Sequence, residues 1–324
     1  MRMQSGKIEH ITVAGTGMIG SDVTLLCAMF HYPVVMLGRS EESIQRGLTR
    51  IRKNLAYLTT EGVYTREDAE HILGSIRTET AMAEAVREAD FVLEGILEDI
   101  QLKHELFVEL DRHCPPHTIL ASSTSGLSPN AIGEGITRKD KMLVAHFWNP
   151  PYLVPLVEVV THDNASKETI DTVTAFLESL GKTPVHLKKD IAGHIGNRLQ
   201  HALFREAIHL VEEGVAAPED IDRVILSSLG PRYSMIGPME YMDSVGLDLQ
   251  VAVQSYLFET LADAKRPQKL LMENYERGDY GAKTGKGFYD WTTEKNLDEM
   301  VGRQNTRFIT RLQALQAAKK SGIS

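Results

Sequence analysis

The 324-residue chain carries 35 lysines and arginines against 44 aspartates and glutamates, a net charge of −9, and 42% of its residues are apolar. That length and apolar content suffice for two compact domains, and the acidic balance disfavours a nucleic acid or an anionic membrane as partner. No run of about 18 apolar residues is present to cross a bilayer. Met1 to Lys7 is polar and lacks the apolar core of a signal peptide. The two cysteines, Cys27 inside an expected helix and Cys114 before two prolines, read as reduced thiols rather than a disulfide framework. A soluble cytoplasmic protein is expected.

Ile8–Ala14 reads as a strand rich in β-branched residues, followed by Gly15-Thr16-Gly17-Met18-Ile19-Gly20 and a helical stretch, Ser21–Phe30. A G-x-G-x-x-G run between a strand and a helix is a dinucleotide fingerprint in its proper context. Gly15 permits the tight turn, Gly17 admits a pyrophosphate, and Gly20 lets helix and strand pack closely, while the helix N-terminus offers N–H groups to the phosphates. Pro33–Leu37 is the expected second strand. Where an acidic residue would hold the ribose hydroxyls of NAD, the chain has Gly38-Arg39-Ser40. Arg39 suits a 2′-phosphate and Ser40 adds a hydroxyl, which favours NADP(H); the alternative is Arg39 lying over the adenine of NAD(H). Glu41 and Glu42 read as partners of a helix dipole at the start of Glu41–Leu58. A helix over Thr65–Ser75, a strand Phe91–Glu94, a helix from Glu98 through Leu110 and a strand Thr118–Ala121 continue the alternation. The pattern predicts an α/β fold, a doubly wound Rossmann-type parallel sheet with ligands beyond the carboxyl ends of its strands.

Met142–Phe147 and Leu156–Val160 read as two apolar strands joined by a proline-studded turn, and each carries one titratable residue, His146 and Glu158. A lone strand histidine is commonly a core residue, but a carboxylate among valines needs a partner. If the turn folds the second strand back, Glu158 can orient His146 as a general base. Ser125, after Ser122-Ser123-Thr124, lies near a strand end, as His146 does.

These segments, with Gly181–Arg198, resemble the 3-hydroxyacyl-CoA dehydrogenase family. The likeness runs from about residue 8 to the closing motif Gly285-Lys286-Gly287-Phe288-Tyr289-Asp290-Trp291. It implies Ser125, His146, Glu158 and Asn197 as catalytic residues, with 21 residues from Ser125 to His146 and 12 from His146 to Glu158. It also implies cofactor contacts from Gly15, Gly17, Met18, Ile19, Gly20, Glu98, Lys103 and Ser123, and substrate contacts from Ser125, Asn149 and Asn197. The chain departs from the pattern at Gly38, where NAD-using members carry Asp, and at Ser123, where fatty-acid members usually have Asn. Leu229–Glu240 and Asn149-Pro150-Pro151-Tyr152 are instead similar to the L-gulonate 3-dehydrogenase and lambda-crystallin branch, which handles free hydroxy acids. Val245-Gly246-Leu247-Asp248 and the stretch from Tyr280 resemble the acyl-CoA members, so fold and reaction transfer better than substrate.

The domain boundary is expected near residue 188, with a Rossmann domain over 1–188, a linker-like Gly181–Asp190, and an all-helical domain over 189–324. Helices are expected at Gly193–Val215, Pro218–Leu229, Asp248–Ala262, Arg266–Arg277 and Leu297–Lys319. The resemblance implies that this domain closes the substrate cleft and supplies a homodimer interface. His194 and His201, seven apart on the first of these helices, have no acidic or thiolate partner at metal spacing, so no metal is expected. The implied chemistry is reversible hydride exchange between a nicotinamide cofactor and a small-molecule L-3-hydroxyacyl substrate, a free 3-hydroxy acid or a CoA thioester. His146 would move the hydroxyl proton, Glu158 fix its tautomer, and Ser125 and Asn197 hydrogen-bond the reacting oxygen. Arg232 reads either as a clamp for a substrate carboxylate or as a salt-bridge residue. Other readings are a reductase of another carbonyl, aromatic aldehydes included, and a non-catalytic crystallin-like or cofactor-sensing homologue.

Overall fold

The computed structural model describes residues 7–293 and 295–320. Eight strands form one sheet: β1 (Ile11–Ala14), β2 (Val34–Leu37), β3 (Ile76–Glu79), β4 (Phe91–Glu94), β5 (Ile119–Ser122), β6 (Met142–Phe147), β7 (Leu156–Thr161) and β8 (Thr183–Leu187). Their order is β3-β2-β1-β4-β5-β6-β7-β8, parallel throughout except for the antiparallel pair β6 and β7. Strands β1, β4, β5 and β6 are buried at every position, which explains their unbroken apolar runs: both faces are covered. On one face Leu25, Leu26 and Met29 of helix α1 (Met18–Met29) pack with Val13, Leu93 and Ala121. On the other, Phe107 and Leu110 of helix Ile100–His113 pack with Val92 and Leu120. Alternate residues of one strand thus serve two cores, the doubly wound arrangement expected. The strand order reverses between β1 and β4, which opens a crevice at their carboxyl ends.

Strands β3 and β8 and the helix Lys167–Ser179 were not anticipated from residue patterning. The segment Gly181–Asp190, expected as a linker, contains β8, which pairs in parallel with β7 from Leu156 opposite Thr183 to Val160 opposite Leu187. Both of these strands lie at sheet edges and are largely uncovered, so their sequences, Ile76-Arg77-Thr78-Glu79 and Thr183-Pro184-Val185-His186-Leu187, lack an apolar signature. Pro184 is tolerated because an edge strand can leave an amide unpaired.

Two compact units result. The first runs through Ile195 and takes in the chain again from Arg303; the second is Gly196–Gly302. The boundary therefore differs from the expected 188, and most of the terminal helix, Leu297–Lys320, belongs to the sheet unit rather than the helical one. Ile309 and Leu312 of that helix join the core, Arg311 donates to the Gly181 carbonyl (2.8 Å), and Gln313 donates to the Glu61 carbonyl (2.9 Å).

Within the second unit, Gly196–Glu212, Pro218–Val224, Gly230–Tyr233, Pro238–Val245, Leu247–Leu257 and Lys269–Glu276 are α-helical, with a π-turn at Ile225–Leu229. His194 lies before the first of these helices, so it does not share a helical face with His201. The closing motif is tied to the unit by Tyr289, whose hydroxyl donates to Asp222 at 2.7 Å.

Candidate active site

The dinucleotide end of the crevice is formed by backbone. Gly15 follows β1 with φ of +133°, and a Cβ there would lie 2.6 Å from the Gly95 carbonyl oxygen. A Cβ on Gly20 would lie 2.2 Å from the Gly15 oxygen. Neither position admits a side chain, so the turn presses the N-terminus of α1 against the strand ends. No side chain caps that helix, whose N-cap is Gly17, and its first-turn N–H groups remain available to an anion. The cradle fits a dinucleotide pyrophosphate. Met18 is exposed and Ile19 half-buried beside it. The buried carboxylate of Asp22 anchors the helix by accepting from Arg50 Nε (2.8 Å) and Asn54 Nδ2 (2.8 Å) of helix α2 (Glu41–Thr60). Burial raises the Asp22 pKa, and the Arg50 guanidinium opposes that shift.

At the end of β2, Arg39 is exposed and no ion pair among the described residues engages it. Ser40 plays a structural part, since its Oγ accepts from the Ser43 amide (3.2 Å) as the N-cap of α2, and Ser43 Oγ accepts in turn from the Ser40 amide. Glu41 and Glu42 sit in the first turn, where the helix dipole favours them, and Glu42 also pairs with Arg46.

Beyond β4 and β5 lies a charged network that residue patterning revealed only in part. Lys103, expected to touch the cofactor, has a side chain 1% exposed, and its ammonium pairs with Glu94 (2.6 Å) and Glu98 (3.3 Å). Glu94, fully buried at the end of β4, also accepts from Ser122 Oγ (2.6 Å) and the Ile96 amide (2.6 Å). Glu98 accepts from the Thr124 hydroxyl, the Ser125 amide (3.0 Å) and Ser125 Oγ (3.4 Å). Burial raises the Glu98 pKa, but the hydrogen bonds from Thr124 and Ser125 and the Lys103 charge outweigh it and hold the carboxyl below its usual range. Ser123 contributes its amide to the Glu94 carbonyl at 2.8 Å. Glu94 was legible by the same reasoning that singled out Glu158, a carboxylate ending an apolar strand.

On the antiparallel pair, His146 and Glu158 are cross-strand partners, and His146 Nδ1 lies 2.9 Å from Glu158 Oε2. Both side chains are buried, at 8% and 1% exposure. Glu158 also accepts from Trp148 Nε1 (3.1 Å) and the Ile195 amide (2.8 Å), which help to fix its position. A carboxylate on Nδ1 makes that nitrogen the proton carrier and leaves Nε2 as the base. Asn149 is exposed on the connecting turn.

Asn197 stands at the second position of helix Gly196–Glu212, and Arg232 in the short helix Gly230–Tyr233, both in the second unit. The Arg232 guanidinium carbon lies 4.3 Å over the Tyr241 ring, a cation–π contact within that unit. No group of three His, Cys, Asp or Glu side chains among the described residues is arranged to hold a metal ion.

A nucleotide cradle at the switch point of a doubly wound sheet, beside a carboxylate-oriented histidine, defines a nicotinamide-dependent oxidoreductase. Residues 10–191 match the 3-hydroxyacyl-CoA dehydrogenase NAD-binding domain and residues 193–291 the C-terminal domain of the same enzymes. The chain belongs to the 3-hydroxyacyl-CoA dehydrogenase family. It is 38% identical to a probable 3-hydroxybutyryl-CoA dehydrogenase of Bacillus subtilis, over 88% of this chain and 98% of that one. It is 35% identical to the human lambda-crystallin homolog, over 74% and 76% of the two chains. Among solved structures, it matches a 5-formyl-3-hydroxy-2-methylpyridine 4-carboxylic acid 5-dehydrogenase, described as an NAD+-dependent dismutase, with a TM-score of 0.82 and 29% identity over 95% and 97% of the chains.

Proposed function

We propose that the protein is a dehydrogenase of L-3-hydroxyacyl-CoA thioesters, and the observation that carries this reading is the His146–Glu158 pair at 2.9 Å beside the dinucleotide cradle. A bound nicotinamide supplies or accepts the hydride. His146 Nε2 takes the proton of the substrate hydroxyl during oxidation and returns it to the alkoxide during reduction. Glu158 holds the ring in the Nδ1–H tautomer and offsets the imidazolium charge. Ser125, fixed through its amide by Glu98, hydrogen-bonds the reacting oxygen, and Asn197 does the same. Glu98 and Lys103 act by ordering the Ser122–Ser125 loop around the cofactor, with Ser123 in its backbone.

NADP(H) is proposed over NAD(H), against the names of the relatives, on local chemistry. A Cβ at Gly38 would meet Ile44 Cγ1 at 2.5 Å and Ser43 Oγ at 2.8 Å, so a ribose-binding aspartate there would have to displace both side chains, and an exposed Arg39 suits a 2′-phosphate. Arg232 stacks on Tyr241 through its face, a contact that uses none of its N–H donors, so the choice of an acyl thioester over a free hydroxy acid rests on the likeness to the probable 3-hydroxybutyryl-CoA dehydrogenase of Bacillus subtilis. A second reading, an aromatic aldehyde or hydroxymethyl substrate, is favoured by the likeness to the formylpyridine dehydrogenase.

The helical unit is also proposed as a homodimer interface: Leu226, Met235, Met239, Val251 and Phe258 are all more than half exposed. Cytoplasmic residence is proposed on the buried thiols Cys27 and Cys114, both pushed up to about 12 by burial. No helix among the described residues is long and apolar enough to cross a membrane. An absorbance assay with NADPH and NADH, offering acetoacetyl-CoA, free acetoacetate and a pyridine aldehyde in turn, tests substrate and cofactor together. Turnover of acetoacetyl-CoA is expected; turnover of the aldehyde alone establishes the second reading.

A further inference from the structure

His194 is a titratable side chain that the mechanism above does not use. Its residue is fully buried, although its backbone adopts a φ of +51°, a conformation that side-chain-bearing residues avoid. Its ring centroid lies 5.1 Å from that of His146. Nε2 is 3.5 Å from the Thr124 carbonyl oxygen, an arrangement that requires the proton on Nε2. Nδ1 then carries a bare lone pair and has no hydrogen-bond partner among the described residues. The next amide, Ile195 N–H, donates to Glu158 Oε1 at 2.8 Å. One short segment thus joins the Ser122–Ser125 loop to the His146–Glu158 pair.

With no exposed surface, His194 does not contact substrate; it acts through its neighbours. The charged and titratable groups around it are His146 on β6, Glu158 on β7 and Asp190 on its own segment, with the Thr124 carbonyl after β5. Burial and His146 lower its pKa, while Thr124, Glu158 and Asp190 pull the other way. Glu158 serves the charge on His146 directly. Two imidazolium rings at this separation repel each other in a dry site, so a second proton strains the segment.

We infer that His194 is a positioning residue whose neutral form holds the Thr124 carbonyl, the Ile195 amide and the His146–Glu158 pair in register, and whose protonation releases them. The inference rests on His146 being the proton-transfer group. In the reducing direction His146 must arrive protonated, so acid favours it. An acid-side loss in that direction therefore belongs to another group, and His194 is the one assigned.

The test is the pH dependence of kcat/KM for acetoacetyl-CoA reduction, with NADPH or NADH, in the wild type, His194→Phe and His194→Gln. The phenylalanine keeps a ring without a titrating nitrogen, and the glutamine keeps a donor for Thr124. The wild type is expected to lose about tenfold per pH unit on its acid limb, below the ordinary histidine range of about 6.5, while both variants stay flat there. A wild-type limb that is flat, or one shared by both variants, overturns the inference. Histidine 13Cε1 NMR of the intact protein gives a readout independent of turnover. The resonance lost in either variant is expected to titrate at lower pH than free histidine and to move up when His146 is replaced by Phe. If acetoacetyl-CoA is not turned over, the functional reading fails while the NMR still decides; no response to His146→Phe overturns the coupling.

Discussion

Lys103 and Glu94 form an ion pair of 2.6 Å in which neither side chain is more than 1% exposed. The pair bridges helix Ile100–His113 and the end of β4, under the loop that carries Ser125. Removing one member of such a pair strands a charge in a dry site. Lys103→Met is expected to lower unfolding free energy by about 3–5 kcal/mol, and Lys103→Met combined with Glu94→Leu to cost less than the single change. Urea denaturation of the three proteins checks this; a double variant less stable than the single one refutes it.

His146→Ala should reduce kcat by about 10²–10⁴-fold, the usual worth of a positioned general base. Dinucleotide affinity, measured by nicotinamide fluorescence, should stay within a few-fold because the cradle is backbone. Unchanged turnover would remove His146 from the mechanism.

Arg39→Asp should weaken NADPH binding by about 10–100-fold, the value of one or two charge-assisted hydrogen bonds. NADH binding should change far less. Equal losses for both dinucleotides would mean that Arg39 does not select the 2′-phosphate.

Leu312→Ala in the terminal helix should destabilise the sheet unit by about 2–5 kcal/mol, as for other buried leucines cut to alanine. Leu312 is 5% exposed and belongs to the same core as Phe30 and Leu180. A change under half a kilocalorie, roughly the level of an inert surface substitution, would show that this helix is dispensable to the core.

Lys182 supplies a pH test of stability. Its ammonium donates to the carbonyls of Pro151 and Val154, and burial, with Arg311 nearby, pulls its pKa down to about 7. An unfolded lysine keeps its proton to 10.5, the ordinary value. Between about 7 and 10.5 the unfolded chain therefore binds more protons, and Lys182's contribution to stability rises with pH across that window. It is lost as pH falls toward 7. Chemical denaturation from pH 7 to 9 should show this rise in the wild type relative to Lys182→Met; parallel curves would contradict it.

Residue patterning announced much of this molecule. The glycine loop between a β-branched strand and a helix, and the apolar runs of β4, β5 and β6, each carry a local signature because their neighbours cover both faces. Edge strands such as β8 carry none, since Thr183-Pro184-Val185-His186-Leu187 is half in water and its pairing with β7 is its only reason to be extended. The separate roles of Lys103 and Glu98 were illegible for a related reason: nothing in their spacing says which charge is buried.

By itself, the sequence determined the dinucleotide turn, the alternation of strand and helix, and the candidacy of His146 and Glu158, because each follows from local sterics or from the cost of an unpartnered buried charge. Only the tertiary structure decided that the two meet across an antiparallel register, that Lys103 pairs with Glu94 in the interior, that His194 lies against His146, and that the chain returns at Arg303 to the sheet. Those outcomes depend on contacts between residues far apart in the chain, where packing and the desolvation of charge, not the neighbouring residues, select the partner.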